Sequence, residues 1–255
     1  MTALESSPLA HDLVGAVERG EIVAYFQPQV DLATDSIIAV EALARWEHPV
    51  LGQLAPGQFI ALAEQTGLIH SIGRHMLEQC LDAAEEWRAA GTHLEVSVNV
   101  SPLQLASPDF SQHLSAELTR RALPQDAVTI EITESMPVID LPGVVIRLHQ
   151  LRELGLGVAL DDFGVGHATI EQLDELPVTE LKLDRSLVQD QRQSMASYLT
   201  SIVTLAHERG LRVVAEGVET EAHLSLVKML GCDRAQGYLL GRPMPRVDVE
   251  RLLGS

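Results

Sequence analysis

Six apolar runs in this chain end on side chains that suit a divalent cation: Glu41, Asn99, Glu131, the pair Asp161-Asp162, Lys182 with Asp184, and Glu216. Hard oxygen donors brought to one rim by many short strands make the kind of site that Mg²⁺ or Mn²⁺ occupies. Taken singly, most of these residues have a plainer reading. A Glu that ends a strand is usually a solvated rim residue, and Asn99 also suits the cap of the turn that opens at Ser101-Pro102. Glu131 and Glu134 read equally as strand-end acids, and Glu216-Gly217-Val218-Glu219 as acid placed before a helix N-terminus. Asp161-Asp162 is harder to dismiss, because adjacent acids repel unless a cation lies between them, and Gly164 and Gly166 let the following backbone turn tightly. Lys182 sits inside an apolar strand, where a bare ammonium is costly, so it is expected to face the acidic rim. Gln236-Gly237-Tyr238 adds an amide able to read a base or a phosphate. The joint occurrence of these groups carries the reading.

The elements that position them alternate β and α over nearly the whole chain, which predicts an α/β fold. Strands are expected at residues 22–27, 36–45, 94–100, 128–133, 157–162, 180–184, 211–216 and 235–240, with the chemistry-bearing side chains at their C-terminal ends. Helices are expected at 69–90, from a cap at Ser107-Pro108-Asp109 to Arg121, and at 141–154, 195–209 and 219–230. Eight strands predict a (β/α)8 barrel of TIM type, whose reactive face is the strand C-termini. One connection departs from the regular form. Residues 30–35 are too few for a parallel crossover, so the first strand runs antiparallel to the second. With the turn centred on Thr34, Gln27 faces Glu41 and reaches the same rim.

Composition narrows the partners. The formal net charge is -18, from 36 acidic and 18 basic residues, which disfavours nucleic acid and anionic membranes; a phosphate ligand then has to be held by local cations, a metal or a few Lys and Arg, and an anionic substrate argues for a metal. Cys80 and Cys232 make no disulfide framework, and no apolar run approaches the ~18 residues of a membrane span. A cytoplasmic setting without membrane insertion is expected, with residues 1–8 a leader or linker remnant. The histidines lack HExxH spacing, and no GxGxxG, Walker or nucleophile-elbow pattern occurs. Most histidines are expected at the surface.

Gln27-Pro28, Glu41-Ala42-Leu43-x-Arg45-Trp46, Asn99-x-Ser101, Glu131-x-Thr133-Glu134, Asp161-Asp162-Phe163-Gly164, Lys182-x-Asp184, Glu216-Gly217-Val218-Glu219 and Gln236-Gly237-Tyr238 occur in this order. Together they resemble the EAL domain family, over residues 9–255. The resemblance implies a modified TIM-type barrel with its first strand antiparallel, and a bacterial signalling enzyme that opens cyclic di-GMP to linear pGpG. It implies two ions, Mg²⁺ or Mn²⁺: one held by Glu41, Asn99, Glu131 and Asp161, the other by Asp161, Asp162 and Glu216. By the same resemblance Glu216 accepts a proton, with Lys182 and Glu41 also in the catalytic set. Gln27, Arg45, Gln236 and Leu43 lie against the substrate, Arg45 on its second phosphate. Glu134, Asp184 and Glu219 support the loop after Asp162. A homodimer is implied, as is a sensor or diguanylate cyclase domain preceding this segment in a longer protein. Val165 and His167-Ala168-Thr169 depart from the family pattern in that loop, which bears on rate and regulation rather than on the ligand set. Two other readings compete. A catalytically silent module of the same family would bind cyclic di-GMP or a protein partner as a sensor, but such modules usually lack ligands, and none is missing here. An aldolase- or enolase-type barrel would explain the acids but not Gln236 or the Glu216 to Glu219 spacing.

Overall fold

The computed structural model describes residues 8–133, 141–165, 176–190 and 192–254. Glu134, Gly166, His167, Ala168 and Thr169 lie outside the described residues. In chain order the elements are α1 (Pro8–Leu13), β1 (Ile22–Asp31), β2 (Ser36–His48), β3 (Gly52–Leu54), α2 (Ile60–Thr66), α3 (Ile69–Ala89), β4 (Glu95–Asn99), α4 (Pro102–Leu105), α5 (Phe110–Arg120) and β5 (Val128–Thr133). There follow α6 (Leu141–Glu153), β6 (Gly157–Phe163), β7 (Glu180–Leu183), α7 (Arg185–Val188), α8 (Gln193–Glu208), β8 (Arg212–Ala215), α9 (Glu221–Leu230), β9 (Arg234–Gln236), β10 (Met244–Pro245) and α10 (Arg246–Leu253).

Eight strands close a ring in the order β1-β9-β8-β7-β6-β5-β4-β2, with β2 returning to β1. β1 is antiparallel to both β2 and β9, and the ring pairs from β2 to β9 are parallel. The expected barrel and its reversed first strand are both present. β3 and β10 are additional short strands that pair antiparallel with β2 and β1 outside the ring. Gln27 pairs with Glu41 as the hairpin reading requires, although the route differs. Near the turn the register is Val30 with Ile37 and Asp31 with Ser36, and a bulge between Gln29 and Val30 shifts it by one.

The last predicted strand, 235–240, stops at Gln236. A Cβ on Gly237 would lie 2.2 Å from the Val218 carbonyl oxygen, and the Leu240 N–H donates back to the Gly237 carbonyl, so the chain turns there against the loop after β8. Two helix starts also move. α5 begins at Phe110 after Asp109, with no side-chain cap, and α9 begins at Glu221, where Thr220 Oγ1 accepts from the His223 N–H.

The main apolar layer lies between the ring and the helices. On α3, Ile69, Ile72, Met76, Cys80, Ala83, Ala84 and Trp87 are all buried, as their spacing predicts, and Trp87 meets Phe26 of β1 edge to face at 5.2 Å. The early part of β1 has no ring partner on its β9 side, and α3 covers it with polar groups. Gln79 accepts from the Ala24 N–H and donates to the Ile22 carbonyl, which His75 also approaches at 3.0 Å. His48 is likewise not a surface residue: it is buried beside Trp46, and its Nδ1 accepts the N–H groups of Val50 and Leu51.

Candidate active site

Side chains two apart on a strand share a face, so each parallel strand sends alternate residues into the ring. At the C-terminal mouth these are Glu41, Asn99, Glu131, Asp161, Lys182 and Glu216, contributed by β2, β4, β5, β6, β7 and the residue after β8. Lys182 is wholly buried at their centre. Its Nζ lies 2.8 Å from Glu131, 2.8 Å from Glu216, 3.0 Å from Asp161 and 3.4 Å from Glu41. Burial alone would lower its pKa, but the four carboxylates hold it well above the usual lysine range.

Asp162 joins this group through a backbone exception. A regular strand would send Asp161 and Asp162 to opposite faces, yet both line the same cavity. Asp162 has φ 57°, in the left-handed region that Asp tolerates better than most residues, and the pairing of β6 with β7 slips between Leu160 and Phe163. That slip turns the second acid back toward the mouth.

The carboxylates differ in their electrostatics. Burial pushes Glu216 up to about 8 despite the pull of Lys182, and burial with the Asp161 charge pushes Asp162 up to about 6. Burial and the Glu41 charge raise Glu131 well above the usual range. At Glu41 the penalty of burial is outweighed by Lys182 and by hydrogen bonds from Gln236 and Asn99, so its pKa is lowered. Asn99 Nδ2 donates to Glu41 Oε1 at 2.7 Å, while Gln236 Nε2 donates to Glu41 Oε2 at 2.6 Å and to Gln27 Oε1 at 3.1 Å. Asn99 is free to do this because Ser101, not Asn99, caps α4.

Two sets of carboxylates come close enough to share a cation: Glu41, Glu131 and Asp161, and Asp161, Asp162 and Glu216, with ligand atoms within 4.8 Å of one another in each set. Asp161 belongs to both. Above them opens a cavity of about 590 Å³, lined by Gln27, Leu43, Asn99, Glu219 and Gln236 among others. Arg45 is not in this wall. Its Nη1 donates to the Ala44 carbonyl, its guanidinium lies 5.7 Å from the centre of the Tyr25 ring, and burial lowers its pKa. Asp184 also stands apart: its side chain caps α7 by accepting from the Ser186 N–H, and its own N–H donates to the Phe163 carbonyl behind Asp162. Glu219 is exposed, with its N–H donating to His223 Nδ1. Glu64 and Gln104 line the cavity too and were not singled out in the sequence; they sit on helices without any strand-end signature.

Residues 10–243 match the EAL domain family. The chain belongs to that family. Over 256 residues this EAL domain is 40% identical to the bifunctional diguanylate cyclase/cyclic di-GMP phosphodiesterase MucR of Pseudomonas aeruginosa, covering 99% of this chain and 37% of MucR. It is 37% identical to the cyclic di-GMP phosphodiesterase RocR of the same organism, covering 93% of this chain and 61% of RocR. The EAL domain thus spans between about a third and three-fifths of these relatives. Among solved structures, the PaMucR phosphodiesterase in complex with c-di-GMP superposes with a TM-score of 0.90 at 39% identity, covering 95% of this chain and all of that one. The EAL enzyme Bd1971 with cAMP and cyclic di-GMP bound gives 0.92 at 28% identity, covering 99% of this chain and 70% of that one. No helix among the described residues is long and apolar enough to cross a membrane.

Proposed function

We propose that this EAL domain is a metal-dependent phosphodiesterase that opens cyclic di-GMP to linear pGpG. The observation that carries the reading is the pair of carboxylate sets sharing Asp161 at the floor of the cavity. The donor set fits divalent ions: it is made of hard oxygens, and five acids crowd one ammonium. Glu131 Oε1 is also buried without a hydrogen-bond partner. Glu41, Asn99, Glu131 and Asp161 would hold one ion and Asp161, Asp162 and Glu216 the other, Mg²⁺ or Mn²⁺ in each case. Bound there, two ions supply an activated water and neutralise the phosphate.

The chain's own residues do the rest. Lys182 keeps the acids from driving one another apart, and Gln236 and Asn99 fix the orientation of Glu41. Glu216, held 2.8 Å from Lys182 at the edge of the second set, takes the proton of the attacking water when it is not a full ligand. The water oxygen bonds to phosphorus, the bond from phosphorus to the 3′ oxygen breaks, and that oxygen leaves with a proton from solvent. Gln27 and Leu43 contact the substrate from the cavity wall. Arg45 reaches the second phosphate by leaving its Tyr25 contact.

Chromatography of cyclic di-GMP incubated with the purified chain tests this, with Mg²⁺ or Mn²⁺ and with a chelator. Metal-dependent pGpG is the expected result. Tight binding without product would replace the enzyme by a receptor, and neither binding nor product would remove cyclic di-GMP as the ligand.

A further inference from the structure

The layer of the barrel beneath the carboxylates is made of small and polar side chains, where the usual filling of such an interior is bulky Val, Ile and Leu. β2 turns Ala39 inward two residues before Glu41, β4 turns Ser97 inward two before Asn99, and β6 turns Ala159 inward two before Asp161; all three are wholly buried. Gln29 of β1 joins them, two residues after Gln27 and without solvent exposure. Its direct partner across the β1–β9 pair is Gln236, so the two carboxamides share the inner face with their Cβ atoms roughly 5 Å apart. Gln236 is committed at one end. Its Nε2 donates to Glu41 Oε2 and to Gln27 Oε1, and turning the amide over would set its oxygen against both acceptors. The Oε1 of Gln236 is thus held away from them, buried and with no donor among the described residues. Gln29 Nε2, Gln29 Oε1 and Ser97 Oγ are likewise buried without a hydrogen-bond partner among those residues. Buried polar atoms are rarely left so, and here four of them belong to one layer.

We infer that this layer is a built water site and that Gln29 is a positioning residue acting through it: a water between Gln29 and Gln236 donates to Gln236 Oε1 and holds that amide in the orientation that serves Glu41. The water site stands on the unpaired atoms alone, and its effect on turnover rests on the phosphodiesterase reading above. The chemistry selects water as the occupant. Gln29 Nε2 is a donor, Gln29 Oε1 and Gln236 Oε1 are acceptors, and Ser97 Oγ can act as either. A cation would meet the Gln29 N–H groups with the wrong sign, and an apolar filling would leave all of these atoms unpaired. Water both donates and accepts, and a buried water makes about three hydrogen bonds to groups of this kind. The methyls of Ala39 and Ala159 leave room that branched side chains would take. Unpaired atoms continue downward at Arg234 Nε and Nη1 and Glu180 Oε1, toward the N-terminal mouth, where the Arg212 side chain is 32% exposed and gives water a way in. Glu41 takes one of its hydrogen bonds from the Gln236 amide, so an amide free to turn over would leave the carboxylate held by Asn99 and Lys182 alone. Gln29 is not in the wall of the cavity, so its influence on turnover has to pass through Gln236 and Glu41.

The test joins a high-resolution crystal structure of the parent chain to kinetics and Mn²⁺-binding calorimetry on Gln29→Met, which keeps the length of the side chain and removes both amide atoms. An ordered water within hydrogen-bond reach of Gln29 and Gln236 is expected in the parent and is expected to be lost in the variant. Removing a group that orients a ligand costs on the order of 10- to 100-fold, so kcat per folded molecule and affinity for Mn²⁺ should each fall about tenfold, with KM for cyclic di-GMP close to the parent's. Gln29→Asn retains an amide and should recover most of both. A role in packing alone would lower the melting temperature of Gln29→Met and leave kcat and Mn²⁺ affinity at parent values, and that result would overturn the positioning role. A parent structure in which no water reaches both amides would overturn the site itself, whether or not the variants fold. A parent that binds Mn²⁺ without cleaving cyclic di-GMP would overturn the phosphodiesterase reading, while the water and the Mn²⁺ affinities would still decide the inference.

Discussion

The two mouths of the barrel are built from the same strands and solve opposite electrostatic problems. At the C-terminal mouth Glu41, Glu131, Asp161, Asp162 and Glu216 surround one cation, Lys182. At the N-terminal mouth Glu95 and Glu180 meet Arg212 and Arg234 in equal number. Arg212 donates to Glu180 and, at 2.9 Å, to Glu95, while Arg234 donates to Glu95 at 2.7 Å and Thr129 Oγ1 donates to Glu95 at 2.6 Å. Glu180 is two residues before Lys182 and Arg212 four before Glu216, so one register supplies both ends. The lower cluster balances its own charge, two acids against two guanidinium groups, although Glu180 Oε1 and Arg234 Nε and Nη1 are buried without a hydrogen-bond partner among the described residues. The upper one sets five acids against one ammonium, and it relieves the excess by raising the proton affinity of Glu216, Asp162 and Glu131 or by taking up cations from outside, as expected where stability has been exchanged for function.

The sharpest way to break this contrast is to neutralise one acid at each end. Asp161→Asn removes the one carboxylate shared by both sets. Turnover of cyclic di-GMP is expected to fall on the order of 10³-fold or more, the scale of losing an electrostatic stabiliser in a dry site. The metal-free melting temperature should hold or rise, because a repulsion has been removed. Activity within tenfold of the parent would show that Asp161 is not shared between the ions.

The matching change below is Glu180→Gln. Glu180 has no solvent exposure, and its loss leaves Arg212 and Arg234 competing for Glu95 alone. Breaking a buried pair from one side costs about 3–5 kcal/mol, or roughly 10 °C in a domain of this size. Turnover per folded molecule should not change. If thermal melts moved by less than a degree or so, the lower cluster would be a spectator.

How far the sequence discloses these two ends follows from what each leaves in it. The upper mouth is legible because acids ending apolar strands break a pattern, and the barrel with its reversed first strand follows from strand count and one short loop. Gln27 opposite Glu41 came out correctly from a turn centre half a residue off, because the bulge after Gln29 absorbs the difference. The lower mouth also leaves a signal in the sequence: Glu95-x-Ser97-x-Asn99 and Glu180-x-Lys182-x-Asp184 carry polar groups at period two, and Arg212 stands four residues before Glu216, on the same face. The left-handed turn at Asp162 and the hydrogen bonds that join Glu64, Ser101 and Gln104 were not legible, since both depend on segments meeting in space.

Metal binding sharpens the comparison with a smaller effect. If the upper mouth is completed by cations, Mg²⁺ or Mn²⁺ at about 100 times its dissociation constant adds ~2.7 kcal/mol, or roughly 5–10 °C. Glu180→Gln should keep the full increment from its lower baseline, and Asp161→Asn should lose most of it. Equal increments in both variants would place the stabilising ion elsewhere.

The smallest effect expected is the slope of stability with pH. Glu216 is raised from 4.5 to about 8 in the folded chain, so between those values the folded state holds a proton that the unfolded state has released. Stability tracks the difference in bound protons, unfolded minus folded, and therefore falls as pH rises through that window. Asp162, raised from 3.8 to about 6, acts with the same sign at the lower end. Glu41 and Glu95 are lowered from 4.5, and their contribution is lost only as pH falls below that value. Lys182, raised above 10.5, contributes stability throughout and loses it only at higher pH. In chelator the melting temperature should therefore drop by a few degrees between about pH 5 and 8. The metal increment should grow over the same range, because ligands must shed protons to bind. Asp161→Asn should flatten the metal-free slope, since the Asp161 charge helps raise both Glu216 and Asp162. Glu180→Gln should leave that slope largely in place. A metal-free parent that gained stability from pH 5 to 8 would mean that the upper acids are not crowded, and the contrast between the two mouths would fail at its source.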